Sequence, residues 1–231
     1  MIDMIAIIPA RGNSKRFPRK NLAQLGKYPL IYYAIKAAQD VGIFKKVILS
    51  TEDPEIREIA LGYGASVMGR NPPLYTDQST VPDVVKDVFD QLEDAGEGHT
   101  HFCILLPTTP LRSAADIEGA YDKYVNSDAD YLMSTADYLF SPFRALHEND
   151  QGRIRLFWGE NYLKKDQDLP HVECHNGAII MGSIKQLRAD GHYYGQQMIG
   201  YHMPLERSVD INNIEELKLA RCYFSMGEND D

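Results

Sequence analysis

Residues 4–21 read Met4-Ile5-Ala6-Ile7-Ile8-Pro9-Ala10-Arg11-Gly12-Asn13-Ser14-Lys15-Arg16-Phe17-Pro18-Arg19-Lys20-Asn21, an apolar run that opens into a basic loop. A continuous apolar run bounded by Pro9 is the pattern of a strand buried on both faces of a parallel sheet. Working outward, Leu30, Ile31, Ala34, Ile35, Ala38 and Val41 recur at three- and four-residue spacing, the stripe of an amphipathic helix. Lys46-Val47-Ile48-Leu49-Ser50 is a second buried strand, so the chain opens as a βαβ unit.

The same alternation continues. A helix is expected over roughly Pro54 to Leu61, ended by Gly62 and Gly64, followed by a short strand from Ala65 to Met68. Thr80 with Asp83 resembles a capping box opening a helix that carries Val81, Val84, Val85, Val88 and Leu92. Next come a strand at Phe102 to Leu106, a helix after Ser113 and a strand from Tyr131 to Ser134. The order predicts a Rossmann-like, mostly parallel open sheet with helices on both faces. From about Asp137 to Val172 the rhythm breaks. Pro142, Gly152, Gly159 and Pro170 punctuate short segments, and Arg153 to Trp158 alternates with a period near two, as hairpin strands do. Regular order resumes with strands at Gly177 to Met181 and Ile199 to Met203 and a helix from about Asn213 to Phe224. The division is therefore an α/β domain, 1–136 and 173–227, with 137–172 as a small hairpin insertion.

Composition limits the function classes. The chain has 231 residues, 44% of them apolar, with 24 Lys+Arg against 33 Asp+Glu and a net charge of −9. That is too apolar for disorder and too acidic for a general nucleic-acid or anionic-membrane binder. Cys103, Cys174 and Cys222 are far apart and lack CxxC spacing, so neither a disulfide framework nor a zinc site is suggested. His171, Cys174 and His175 also match no common zinc spacing. The N-terminal run meets Pro9 before it could form a signal-peptide core, and no stretch has eighteen uninterrupted apolar residues; the reading is a soluble cytoplasmic protein.

Against this acidic background, Arg11, Lys15, Arg16, Arg19 and Lys20 lie within ten residues that contain no acid. Open parallel sheets bind ligands at the carboxyl ends of their strands, and the first strand delivers the chain into this loop. Gly12 permits close backbone approach, Asn13 and Ser14 tolerate turn geometry and expose N–H groups, and the cations can meet a polyphosphate. The loop is neither a Walker A nor a GxGxxG sequence.

Ile7 to Asn21 closely resembles the signature of the CMP-sugar-acid synthetases, the cytidylyltransferases that activate sialic acid and related nonulosonic acids. The resemblance extends through Ser50-Thr51-Glu52-Asp53, Leu106-Pro107-Thr108-Thr109-Pro110-Leu111-Arg112, Asn176-Gly177-Ala178-Ile179 and Ser208-Val209-Asp210-Ile211-Asn212, covering essentially the whole chain. Synthetases for the eight-carbon acid KDO look similar at the start but typically have Lys-Pro where this chain has Lys20-Asn21. The resemblance implies attack of the anomeric 2-hydroxyl of a nonulosonic acid on the α-phosphate of CTP, giving the CMP-sugar and pyrophosphate. It implies nucleotide contacts from Arg11, Gly12, Asn13, Ser14, Lys15, Lys20, Asn21 and Arg70, with Arg11, Lys20 and Asp210 catalytic. For Arg70, a surface turn is the alternative.

The expected metal is Mg²⁺, which bridges phosphates through few protein carboxylates. Relatives commonly place Asp-x-Asp after the penultimate strand; here Asp210-Ile211-Asn212 stands there, period-two spacing putting both side chains on one side. Asn212 can accept through its carbonyl, or it can be the N-cap of the last helix. On the sugar side the resemblance implies Thr108, Arg144, Gln167, Tyr193 and Tyr194. Leu106 stands where glutamine is common, Asp166 where arginine is common and Cys174-His175 where Arg-Pro is usual. Gln167-Asp168-Leu169-Pro170 and the stretch around Arg144 resemble the pseudaminic acid branch instead. In relatives the insertion, which here holds Trp158, is a dimerisation lobe contributing to the partner's site, so a homodimer is implied. The competing readings are a nucleotide-binding homologue that has lost catalysis and a nucleotidyltransferase for another base or sugar acid such as KDO.

Overall fold

The structure, a computed structural model, describes residues 2–76, 78–159 and 163–227. Its strands are β1 (Met4–Pro9), β2 (Gln24–Leu25), β3 (Tyr28–Pro29), β4 (Val47–Ser50), β5 (Ser66–Met68), β6 (His101–Ile104), β7 (Tyr131–Asp137), β8 (Leu146–Glu148), β9 (Ile154–Leu156), β10 (Glu173–Ser183) and β11 (Met198–His202). Its helices are α1 (Leu30–Asp40), α2 (Pro54–Gly62), α3 (Val81–Asp94), α4 (Ala114–Val125), α5 (Ile184–Asp190) and α6 (Ile214–Gly227). A seven-stranded sheet runs in the order β11-β7-β10-β6-β1-β4-β5. β1 pairs in parallel with β4 and β6, β4 with β5, and β11 with β7. The mostly parallel sheet with helices is thus present.

β10 is the exception, running antiparallel to both β6 and β7. It is eleven residues long, and its pairing with β7 shifts register between His175 and Ile180, where Gly177 takes φ 72. That left-handed conformation suits glycine, and the bulge re-aims the strand's N-terminal half.

The two-residue alternation of β1 divides the core. Met4, Ala6 and Ile8 pack with Ile31, Ala34 and Ile35 of α1 and Ile117 and Ala120 of α4. Ile5 and Ile7 face the other side, against Val85, Val88 and Phe89 of α3 and Ile184 and Leu187 of α5. Both faces are therefore sealed, and truncating any of these large aliphatic residues to alanine costs about 2–5 kcal/mol. Helix starts follow local chemistry. Asp53 accepts from the N–H groups of Glu55 and Ile56 to cap α2, while Thr80/Asp83 and Ser113/Asp116 form reciprocal capping boxes for α3 and α4. Between β7 and β10, β8 and β9 form a separate antiparallel hairpin outside the main sheet.

Candidate active site

The C-terminal end of β1, the loop after β6, the N-terminus of α3 and the segment before α6 enclose a cleft of about 320 Å³. Its walls include Arg11, Lys20, Asn21, Arg70, Thr108, Asp210 and Asn212. Seven of the residues selected from sequence, separated by up to about two hundred positions, thus converge at the switch of a parallel sheet, where ligands bind.

Arg70 is buried at 8% exposure, which settles its alternative as a surface turn. Nη2 donates to the Ser50 carbonyl at 3.1 Å and Nε to Ser50 Oγ at 3.3 Å. Burial lowers its proton affinity, Glu52 opposes that and Arg11 adds to it. Lys20 Nζ donates to Asn212 Oδ1 at 3.3 Å, and Asn212 Nδ2 donates to Asp210 Oδ2 at 2.8 Å. Burial likewise lowers Lys20 below an ordinary lysine, with Asp210 pulling the other way and Arg16 and Arg11 pushing it further down. Asn21 is buried and its amide donates to the Arg11 carbonyl at 2.8 Å, tying the two ends of the basic loop together.

Ile211 is fully buried beneath the loop that carries Asp210 and Asn212, so both polar side chains reach the cleft, as the period-two spacing requires. The N-cap of α6 is Asn213, whose Oδ1 accepts from Glu215 N at 2.9 Å and Glu216 N at 3.0 Å. Capping therefore does not occupy the Asn212 side chain. The Ile211 N–H donates to the Thr108 carbonyl at 2.7 Å, joining this wall to the loop after β6.

That loop is ordered by Arg112, whose guanidinium is only 3% exposed. It donates to the carbonyls of Leu106 and Thr109 and to Thr109 Oγ1. Burial brings its pKa down to about 10, so it stays charged at neutral pH.

The remaining loop residues are placed elsewhere. Gly12 gives its N–H to Glu52 Oε1 at 2.8 Å, and a Cβ there would lie 2.3 Å from Asp53 Oδ2. The close approach that requires glycine is to the turn after β4. Asn13, Ser14 and Lys15 line a neighbouring depression with Tyr75 and Thr76. Sequence reasoning missed Ser79, Thr80, Val81 and Val84, which form the α3 wall of the cleft. The Thr80 capping box marked that helix start without indicating what it faces.

The cytidylyltransferase family pattern matches residues 5–229. The chain belongs to the cytidylyltransferase family. A pseudaminic acid cytidylyltransferase of Campylobacter jejuni is 30% identical over 96% of this chain and 96% of its own length. An N-acylneuraminate cytidylyltransferase of Streptococcus agalactiae is 33% identical over 92% of this chain but only 51% of its own length. In fold, the chain is similar to a CMP:2-keto-3-deoxy-manno-octonic acid synthetase whose structure holds CTP, with a TM-score of 0.73 at 13% identity, covering 97% of this chain and 99% of that one. The protein is a nucleotidyltransferase, and no described helix is long and apolar enough to cross a membrane.

In this cytidylyltransferase the sugar-side residues other than Thr108 lie apart from the cleft. Arg144 donates to the Lys164 carbonyl at 2.8 Å, and Gln167 is exposed. Tyr193 and Tyr194 pack against each other, their ring centroids 5.0 Å apart, and Tyr194 meets His175 edge-on at 6.5 Å. His175 in turn lies within electrostatic reach of Asp210. None of Arg144, Gln167, Tyr193 and Tyr194 is among the residues that line the cleft.

Proposed function

We propose that the enzyme transfers CMP from CTP to the anomeric 2-hydroxyl of a nonulosonic acid and releases pyrophosphate. The observation that carries this reading is the convergence of Arg11, Lys20 and Arg70 with Asp210 in one cleft of a chain that aligns nearly end to end with a pseudaminic acid cytidylyltransferase. In the reaction the hydroxyl oxygen forms a bond to the α-phosphorus, the bond from that phosphorus to the bridging α–β oxygen breaks, and the hydroxyl proton is lost. The pyrophosphate leaves with the bond's electron pair. No covalent enzyme intermediate is needed; the chain has to align the groups and neutralise developing charge. Lys20 and Arg11 face the phosphates, Arg70 holds the nucleotide side, and Asn21 keeps the loop in register with Arg11.

Mg²⁺ fits these residues. Asp210 Oδ1 is buried without a hydrogen-bond partner, which leaves a hard oxygen donor for a cation. Its other oxygen is fixed by Asn212, so Asp210 is the direct ligand and Asn212 orients it. When bound, the ion supplies further charge neutralisation on the triphosphate.

We also propose a homodimer, built through the exposed apolar side chains between β7 and β10, and a cytoplasmic location. The substrate arrangement favours an acid of the pseudaminic type, since Leu106 presents a hydrocarbon wall to the cleft and the nearly full-length relative is named for that acid. Pyrophosphate release tests the reading, with CTP and Mg²⁺ against pseudaminic, legionaminic, sialic and KDO-type acids. Release with CTP and a nonulosonic acid, and not with ATP, GTP or UTP, is expected. Silence across all four acids would refute it, and CTP binding without turnover would favour the impaired homologue.

A further inference from the structure

The short turn after β4, Glu52-Asp53-Pro54-Glu55, grips the basic loop at two points. At its first end the Gly12 N–H donates to Glu52 Oε1 at 2.8 Å, and the Gly12 backbone presses so closely on Asp53 that a side chain has no room. At the far end Arg19, in the left-handed region at φ 57, pairs with Asp53 and Glu55. Asp53 also caps α2 through the N–H groups of Glu55 and Ile56, so the gripping turn is itself anchored to a helix.

Glu52 does something more. Its second oxygen, Oε2, is buried without a hydrogen-bond partner and lies 3.5 Å from Arg70 Nη1. A buried carboxylate oxygen left short of a hydrogen bond is costly, and such a group persists where the surroundings need its charge. The need here is visible: Arg70 and Arg11 line the same cleft, and Glu52 is an anion set behind them. With Nε and Nη2 of Arg70 tied to Ser50, the contact with Glu52 completes the fixing of the guanidinium. The loop that bears Arg11 and Lys20 and the segment after β5 that bears Arg70 have this one carboxylate in common.

We propose that Glu52 is a positioning residue for the nucleotide, using one oxygen to set the basic loop at Gly12 and the other to set Arg70. It acts through those groups and is absent from the cleft lining. The inference rests on the reading of the cleft as the CTP site. Both cations belong to the nucleotide side, so losing Glu52 acts on CTP and spares the acceptor sugar.

The experiment compares wild type, Glu52→Ala and Glu52→Gln by calorimetric titration with CTP and by steady-state kinetics varying each substrate separately. Glu52→Ala weakens CTP binding by about tenfold or more, the scale of a lost charge-assisted contact, and leaves KM for the acid within about twofold. Glu52→Gln keeps an oxygen for the Gly12 N–H but has no charge for Arg70, so its CTP affinity falls between the two. Glu52→Ala binding CTP as tightly as wild type overturns the proposal, as does an equal rise in both KM values, which marks general damage. If Glu52→Ala does not fold, Glu52→Gln decides: CTP affinity at least about threefold below wild type supports the role, and unchanged affinity overturns it. Wild type failing to bind CTP refutes the site reading itself and this inference with it.

Discussion

Lys20, Asn212 and Asp210 form a chain of contacts in which each side chain fixes the next. Asn212 accepts from Lys20 through Oδ1 and donates to Asp210 through Nδ2. A carboxylate at 212 could accept from the lysine but could not donate to Asp210, so the amide trades one negative charge for a second hydrogen bond. With asparagine at a position where relatives commonly have aspartate, the two side chains stay joined and the negative charge lies on Asp210 alone. Removing the ammonium leaves this geometry half supported and, on the proposed reaction, takes away a cation that would face charge developing on the phosphates. Lys20→Ala is therefore expected to lower kcat on the order of 10²–10³-fold, the range for losing one preorganised electrostatic contact. Chemical denaturation should change by less than about 1 kcal/mol, because the bond lost to Asn212 is a long one at a half-buried position. Pyrophosphate release beside a denaturation curve checks both numbers, and near-normal turnover would remove Lys20 from the mechanism.

At the scale of elements, the segment that carries Asp210 is held by its neighbours. Arg207 donates to both oxygens of Asp116 at 2.9 Å, and Asp116 also closes the capping box of α4 with Ser113. Ser208 accepts from Asn176 at 2.9 Å, and Ile211 is bonded to Thr108. Burial alone would raise the Asp116 carboxyl, but the hydrogen bonds from Arg207 and Ser113 outweigh it and hold the group below the ordinary range. A carboxylate whose pKa is depressed on folding stabilises the native state above its unfolded pKa, and that contribution disappears as pH falls through the folded value. Asp116→Asn should thus be less stable than wild type by about 1–3 kcal/mol at pH 7, the cost of weakened charged hydrogen bonds and a damaged cap. The gap should be narrower at about pH 3, below the ordinary aspartate value near 3.9, and close as the pH falls further through the lower folded value. Urea unfolding at both pH values measures it; a gap that persists in acid would mean the charge is not what matters.

The same scale shows what could be read without coordinates. β1 was legible as an unbroken apolar run, because both its faces are buried, and α1 by its period, because it buries one face. The direction of β10 was not, since an apolar run such as Gly177 to Met181 has the same pattern whichever way it lies in the sheet. The seven-residue α5 was missed because it is barely two turns long and shows no sustained stripe. Asp210, Lys20 and Arg11 could be picked by motif, whereas Glu52 and Arg112 work through backbone groups and neighbouring cations, relations that arise only once distant loops meet.

On the scale of the whole molecule, two sharply different surfaces coexist. The sheet and its helices enclose a large apolar core, yet the region between β7 and β10 leaves Leu139 at 73% and Phe140 at 81% exposure, with Ile154, Phe157, Trp158 and Leu163 also uncovered. Phe157 and Trp158 meet edge to face, their centroids 5.1 Å apart, and Phe143 meets Trp158 in the same way, so the region has an aromatic centre. Exposed apolar side chains of this kind mark contact sites, and in the homodimer proposed above a two-fold contact would let this region cover its own copy. Arg144 and Gln167, which the family resemblance implies on the sugar side, sit on this region away from the cleft of their own chain, and in the proposed homodimer a second copy would let them meet a substrate. Phe140→Ser with Phe157→Ser should convert a dimer into a monomer in sedimentation velocity. The denaturation midpoint at low protein concentration should barely move, because neither side chain belongs to the buried core. Activity should fall with the dimer, through a higher KM for the acid more than for CTP, since the cleft proposed for the nucleotide is lined by residues of one chain. A wild-type protein that sediments as a monomer at micromolar concentration while turning over normally would show that the hairpin region serves some other contact.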